Sequence, residues 1–194
     1  MSKKNKLKKV LDEKPFKIMS ASIVDDFCNY AFEIKSGVGI GDRHTVKGNG
    51  IVDQDMKDAF ERLNVHLAAI DDVFKHSGIE VSNIDKLRPH VLTGDYEVTG
   101  FKIFALGENE AIVLIGHKHV SCSGERMDLQ TPKIPLDNLS SYQWYNELKE
   151  AADEARLEVE LYKGGKCTKV EESDEEDPKQ LNIGHEMDME SAKL

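Results

Sequence analysis

His117 and His119, one residue apart and followed by Cys122, are the side chains in this sequence best suited to gripping a metal ion. On a strand, positions i and i+2 share a face, so both imidazoles can reach one ion. Zinc takes three or four ligands, however, and no second Cys or His pair stands at a matching spacing. Val113 and Ile115 fall on the same face. The histidines therefore read as the point where a buried strand emerges into solvent, and neither a metal nor a cofactor is expected.

A second chemically suggestive stretch is GVGIGDRHTVKGNG, from Gly37 to Gly50. Glycines let backbone amides approach a phosphate, and Arg43, His44 and Lys47 would add charge beside a helix that begins near Asp53. Against this, the spacing is neither GxGxxG nor GxxxxGK[ST], and Asp53 and Asp55 place negative charge at that helix start. A hairpin with glycines at its turns accounts for the same residues.

Covalent and acid–base chemistry find little support. The chain has no GxSxG elbow and no HExxH. The acid pairs Asp25-Asp26 and Asp71-Asp72 fall at a turn and on a helix flank, where solvation explains them. A binding protein is expected, not an enzyme.

Aromatic residues with basic neighbours are the remaining signal. Tyr96, Phe101, Lys102 and Phe104 share one strand-like run, Lys118 and His119 the next, and Arg126 and Lys133 the third. Rings that stack on bases, with cations tracking the phosphates, hold single-stranded nucleic acid. With Arg43 and Lys47, the set Tyr96, Phe101, Lys102, Lys118, His119, Arg126 and Lys133 makes the candidate nucleic-acid interface. Strand alternation sends Phe101 and Phe104 to opposite faces, so at most one of them faces the core.

The elements that position these residues follow from periodicity. Phe16–Val24 and Phe27–Lys35 read as strands joined at Asp25-Asp26, the second with Cys28, Tyr30, Phe32 and Ile34 on one face. A short strand is expected around His44–Lys47. Met56, Phe60, Leu63, Leu67, Ile70 and Phe74 make one apolar stripe, predicting a helix from about Asp53 to His76 that Gly78 stops. Residues 79–94 read as an irregular connection. Tyr96–Leu106, Ala111–Ser121 and Arg126–Ile134 form a meander with turns at Gly107-Glu108-Asn109 and Ser123-Gly124. Pro132 and Pro135 place the third of these at a sheet edge. The last helix is predicted from about Ser141 to Tyr162, opened by a Ser140/Gln143 capping box and ended by Gly164-Gly165.

Strands then helix, twice over, predict an α+β fold: five to six antiparallel strands, readable as duplicated βββα units, with two long helices packed on them. Residues 16–163 make one domain, between a basic N-terminus (1–15) and an acidic tail (164–194). That tail contains EESDEEDP and almost nothing apolar, a composition that predicts disorder. Of the net charge of −10, residues 1–17 carry +5 and residues 169–194 carry −6. The body is therefore acidic too, which argues against a general duplex-DNA binder. Cys28, Cys122 and Cys167 lack paired spacing and suggest reduced thiols in the cytoplasm. No apolar run reaches the length of a membrane span.

A β-rich domain joined to an acidic C-terminal segment resembles the layout of phage and bacterial single-strand binding proteins. The resemblance is one of organisation, since no motif matches and the chain ends in Ser-Ala-Lys-Leu. It implies an accessory protein of DNA metabolism, in replication or recombination, that contacts single strands through its sheet. The tail would then compete for the basic groove or recruit protein partners. The competing expectation is a structural, self-assembling subunit of a phage or mobile element, with no nucleic-acid role and with contacts along its edge strand.

Overall fold

The computed structural model describes residues 16–34, 41–80, 82–106 and 109–168. The lysine-rich start, Gly37 and Gly39, the Gly107-Glu108 part of the expected turn and the acidic run from Glu171 lie outside the described residues.

β1 (Phe16–Val24) and β2 (Phe27–Ile34) pair antiparallel around Asp25 and Asp26, whose φ values of 50° and 66° give a turn matched to the twist of the strands. β3 (Arg43–Ile51) pairs with β2 and is twice as long as the expected His44–Lys47 strand. The second meander is β4 (Tyr96–Leu106), β5 (Asn109–Val120) and β6 (Glu125–Gln130). The expected Arg126–Ile134 strand is in fact two. β6 ends at Gln130, and β7 (Ile134–Pro135) makes a separate pairing with β5. Between them Pro132 has no amide to donate, and Thr131 supplies the ladder instead. Its backbone N donates to the Leu114 carbonyl at 3.0 Å, and its hydroxyl accepts from Leu114 N at 2.9 Å.

The sheet order is β3-β2-β1-β4-β5-β6, with β7 beside β5. Two antiparallel meanders thus meet back to back at β1 and β4, each followed in sequence by helix. β6 lies at an edge, as the prolines implied.

The predicted first helix is three short ones: α1 (Gln54–Glu61), α2 (Asn64–Ile70) and α3 (Val73–His76). Its apolar stripe survives, with Met56, Phe60, Leu63, Leu67 and Phe74 all buried. The axis breaks where polar residues turn aside to bond the sheet. Asn64 Oδ1 accepts from Val98 N at 2.8 Å, and the Asp71 carboxylate accepts from Tyr96 Oη and, at 3.2 Å, from Lys118 Nζ. Asp53 caps α1, accepting from Met56 N at 3.0 Å. Gly78, with φ at 70°, closes α3. The connection that follows holds a 3-10 turn (Ile84–Leu87) and α4 (Val91–Gly94).

The final helix, α5 (Tyr145–Lys163), starts later than the capping box implied. Ser140 Oγ accepts from Tyr142 N at 3.2 Å and so shapes a turn ahead of the helix, while Trp144 stands at the N-cap position without a side-chain bond. Leu148, Ala151, Ala152, Ala155 and Val159 form its buried face. Small residues there bring α5 close to β1 and α1. Arg156, buried among them, pairs with Glu110 at 3.1 Å and Asp153 at 3.4 Å. Burial alone would raise the Glu110 pKa, but Arg156 and Lys17 outweigh it and hold that carboxyl below its usual range.

The chain leaves α5 through Gly165, with φ at 98°, and is fastened to β3. Thr168 N donates to the Ile51 carbonyl at 2.9 Å. Lys166 Nζ lies among Asp55 (2.6 Å), Glu158 (2.7 Å) and Asp53 (3.1 Å). No described helix is long and apolar enough to cross a membrane.

Candidate functional site

The core cluster joins the helices to one face of the sheet: Ile18, Ala21, Cys28, Tyr30, Phe101, Ile103, Ile112 and Leu114. Strand alternation and register assign the residues of the opposite face. From edge to edge it carries Arg43, Thr45 and Lys47 on β3, Asn29 and Glu33 on β2, and Ser20 and Ser22 on β1. It continues with Glu97, Lys102 and Phe104 on β4, Ala111, Val113, Ile115, His117 and His119 on β5, and Arg126 and Asp128 on β6. Five inter-strand gaps of about 4.8 Å make this face roughly 24 Å wide.

The expected interface residues divide between the two faces. Arg43, Lys47, Lys102 and Arg126 are exposed on the open face, and His119 is half-buried there. Lys133 joins them, with its Nζ 4.3 Å from the centre of the Phe104 ring. Tyr96, Phe101 and Lys118 do not. Tyr96 and Phe101 are 2% and 0% exposed, so neither ring is available to stack on a base. Lys118 lies over the Tyr96 ring at 4.9 Å and bonds Asp71 on the helix side. Burial and the bond to Asp71 push the Tyr96 phenol up to about 12, so it stays a neutral donor.

The reason lies in a register shift between Val98 and Gly100. An extra residue there puts Tyr96, Val98 and Phe101 all on the core face, where plain alternation would split Tyr96 from Phe101. Of the β4 rings, Phe104, half-buried beneath Lys133, is the one on the open face, and Phe27 on β2 shares that face.

Cations on the helix side are mixed in their pairing, since Lys75, Lys86, Lys149 and Lys163 make no ion pair among the described residues. Lys57, Arg62, Arg88, Lys118, Arg156 and Lys166 on the helix side each make an ion pair. Arg43, Lys47, Lys102, Arg126 and Lys133 make none within 4 Å among the described residues.

Within the glycine stretch, the described Gly48 and Gly50 serve packing. Gly48 and Gly50 lie inside β3 beneath Tyr162, whose hydroxyl accepts from Gly50 N at 3.1 Å and donates to the Gly50 carbonyl. A Cβ at Gly48 would come within 2.3 Å of both the Cys28 carbonyl and Tyr162 Oη. The nearby helix start carries Asp53 and Asp55, both paired with Lys166, so among the described residues its end is negatively charged.

Two groups of three potential ligands are present among the described residues: Glu97, His117 and His119, and Asp53, Asp55 and Glu158. The first joins the two histidines on β5 to a carboxylate directly opposite on β4. Local sequence spacing gave no sign of Glu97, because strand register alone brings it there. A cleft of about 740 Å3 lies elsewhere, lined by Phe74, Ile79, Tyr142 and Trp144, with Asp72, Lys75 and Glu80 exposed around it. No protein-family model, curated protein or solved structure matches this chain.

Proposed function

We propose that this is a non-catalytic binding protein whose open sheet face receives an extended polyanion, single-stranded nucleic acid in the first place. The observation that carries the reading is the set of cations on one sheet face, Arg43, Lys47, Lys102, Arg126 and Lys133, which make no ion pair among the described residues. Unpaired cations spaced over a sheet suit a ligand of repeating phosphates, and a local field of this kind can act against a net negative charge. Phe104 and the partly exposed Phe27 supply rings beside the cations.

In this reading, the acidic segment after Thr168 competes for the same face or recruits a protein partner. The test is fluorescence anisotropy of a labelled single-stranded oligonucleotide at several salt concentrations. Full-length protein is compared with a chain ending at Thr168 and with a Lys102→Ala/Arg126→Ala variant. Tighter binding without the tail is expected. For single strands each phosphate contact contributes about 0.7 to the slope of log affinity against log salt. The double variant should therefore lose roughly 1.4 of that slope. Absence of binding by every form at low salt refutes the proposal, and self-association measured by light scattering then becomes the leading alternative.

A further inference from the structure

We propose that Glu97, His117 and His119 form a binding site for a divalent first-row transition ion, with zinc as its probe. Glu97 Oε2 lies 2.8 Å from His117 Nε2 and 3.9 Å from His119 Nε2, and the three donor atoms fall within 4.8 Å of one another. A tetrahedral ion bound at about 2.0–2.1 Å holds its ligand atoms roughly 3.3 Å apart. Closing the set onto an ion thus takes movements of about 1.5 Å or less. Glu97 and His119 have that freedom, with side chains 53% and 41% exposed.

His117 provides the independent sign of a ligand. Its side chain is 9% exposed, and its Nε2 is buried with no hydrogen bond. The nearby Glu97 oxygen lies within ion-pair distance but off the direction of a ring N–H. A buried imidazole nitrogen without a hydrogen bond is unfavourable, and a metal ion shared with the Glu97 carboxylate would satisfy it.

The strand pairing holds the arrangement in place. Glu97 is the register partner of His117, and Gly116 lets the strands stay close, since a Cβ there would meet the Glu97 carbonyl at 2.1 Å. Asp128 is the register partner of His117 on β6, on the other side of β5, and lies outside this group of three.

Two imidazoles and one carboxylate select a zinc-like ion over magnesium or calcium, which prefer oxygen alone. The all-oxygen group Asp53, Asp55 and Glu158 offers the contrast, because the Lys166 ammonium already serves as its cation.

The inference does not depend on nucleic acid, and the test omits it. Full-length protein is titrated calorimetrically with Zn2+ alone, and Co2+ absorption reports the ligand type. One ion per chain is expected, with a spectrum lacking thiolate bands. Loss of outer partners around metal sites weakens binding about 10–100-fold, so loss of a ligand should cost at least about as much. Glu97→Gln, at an exposed position, and His119→Ala, at a half-buried one, should each show such a loss while keeping the wild-type melting curve without metal. Cys122→Ser should bind as the wild type does. A histidine that merely pairs with Glu97 would give no stoichiometric uptake. That result, undiminished binding in both variants, or dependence on Cys122 would overturn the proposal.

Discussion

Acidification should destabilise this domain chiefly through His66. The ring is 1% exposed in α2 and shares a 2.9 Å hydrogen bond with the Tyr142 hydroxyl. Burial first, then the charge of Arg88, lower its pKa from 6.5 to about 3, with Asp85 opposing and Arg62 adding a smaller push. The unfolded chain therefore takes up a proton well before the folded one does. Stability is complete above the unfolded value and falls as pH drops toward the folded value. At about 1.4 kcal/mol per unit, a change from about pH 7.5 to about pH 5 costs roughly 2 kcal/mol through this residue. For a domain of this size that corresponds to a melting point about 4–8 °C lower. Urea unfolding of wild type and His66→Gln at both pH values isolates the effect. Glutamine keeps a hydrogen bond to Tyr142 but cannot titrate, and contributions from the other histidines cancel in the comparison. The variant should lose about 2 kcal/mol less on acidification, whatever its stability at the higher pH. Equal losses in the two proteins would falsify the argument that burial keeps His66 neutral.

Gly48→Ala should cost about 1–3 kcal/mol, because the Cys28 carbonyl it meets is backbone and cannot move aside. Gly94→Ala, with nothing within 4 Å of its new methyl, should melt close to wild type. Desolvation opposes the charge on Lys166, yet hydrogen bonds to Asp55, Glu158 and Asp53 outweigh it and raise its pKa. Lys166→Ala should lose about 1 kcal/mol, and calcium should restore part of that melting temperature while leaving wild type unaffected. Burial pushes the Cys28 thiol up to about 12, whereas Cys122 and Cys167 are exposed. A thiol reagent should thus modify Cys122 and Cys167 in the native protein and reach Cys28 only in denaturant.

The strands were legible because their period of two and their turn residues are local properties. Asp25-Asp26 marked a tight turn, and Phe16–Val24 matches its strand residue for residue. The division of the first helix was hidden, because an unbroken apolar stripe looks the same in one helix as in three that follow a twisted sheet. What breaks it, the reach of Asn64 and Asp71 to β4 and β5, is tertiary. Tyr96 and Phe101 illustrate a related limit. One extra residue near Thr99 moved a whole set of side chains between faces, and nothing in the composition announces it. Glu97 stands 20 residues from His117 in sequence and directly opposite in register, so only the paired strands reveal the group.

Fastening Thr168 to Ile51 at the margin of the sheet also fixes the starting point of residues 169–194. Fully extended, that stretch reaches no farther than roughly 90 Å, several times the width of the open face. Any encounter between its carboxylates and the cations of β3 to β6 is therefore intramolecular, at an effective concentration on the order of millimolar. Dilution cannot relieve such self-occupancy. A free peptide of the same sequence would have to be supplied at comparable concentration to reproduce it on a chain cut after Thr168. Under the proposed function, the anchor at β3 would make the acidic segment a competitor whose strength is set by tether geometry and not by how much protein is present.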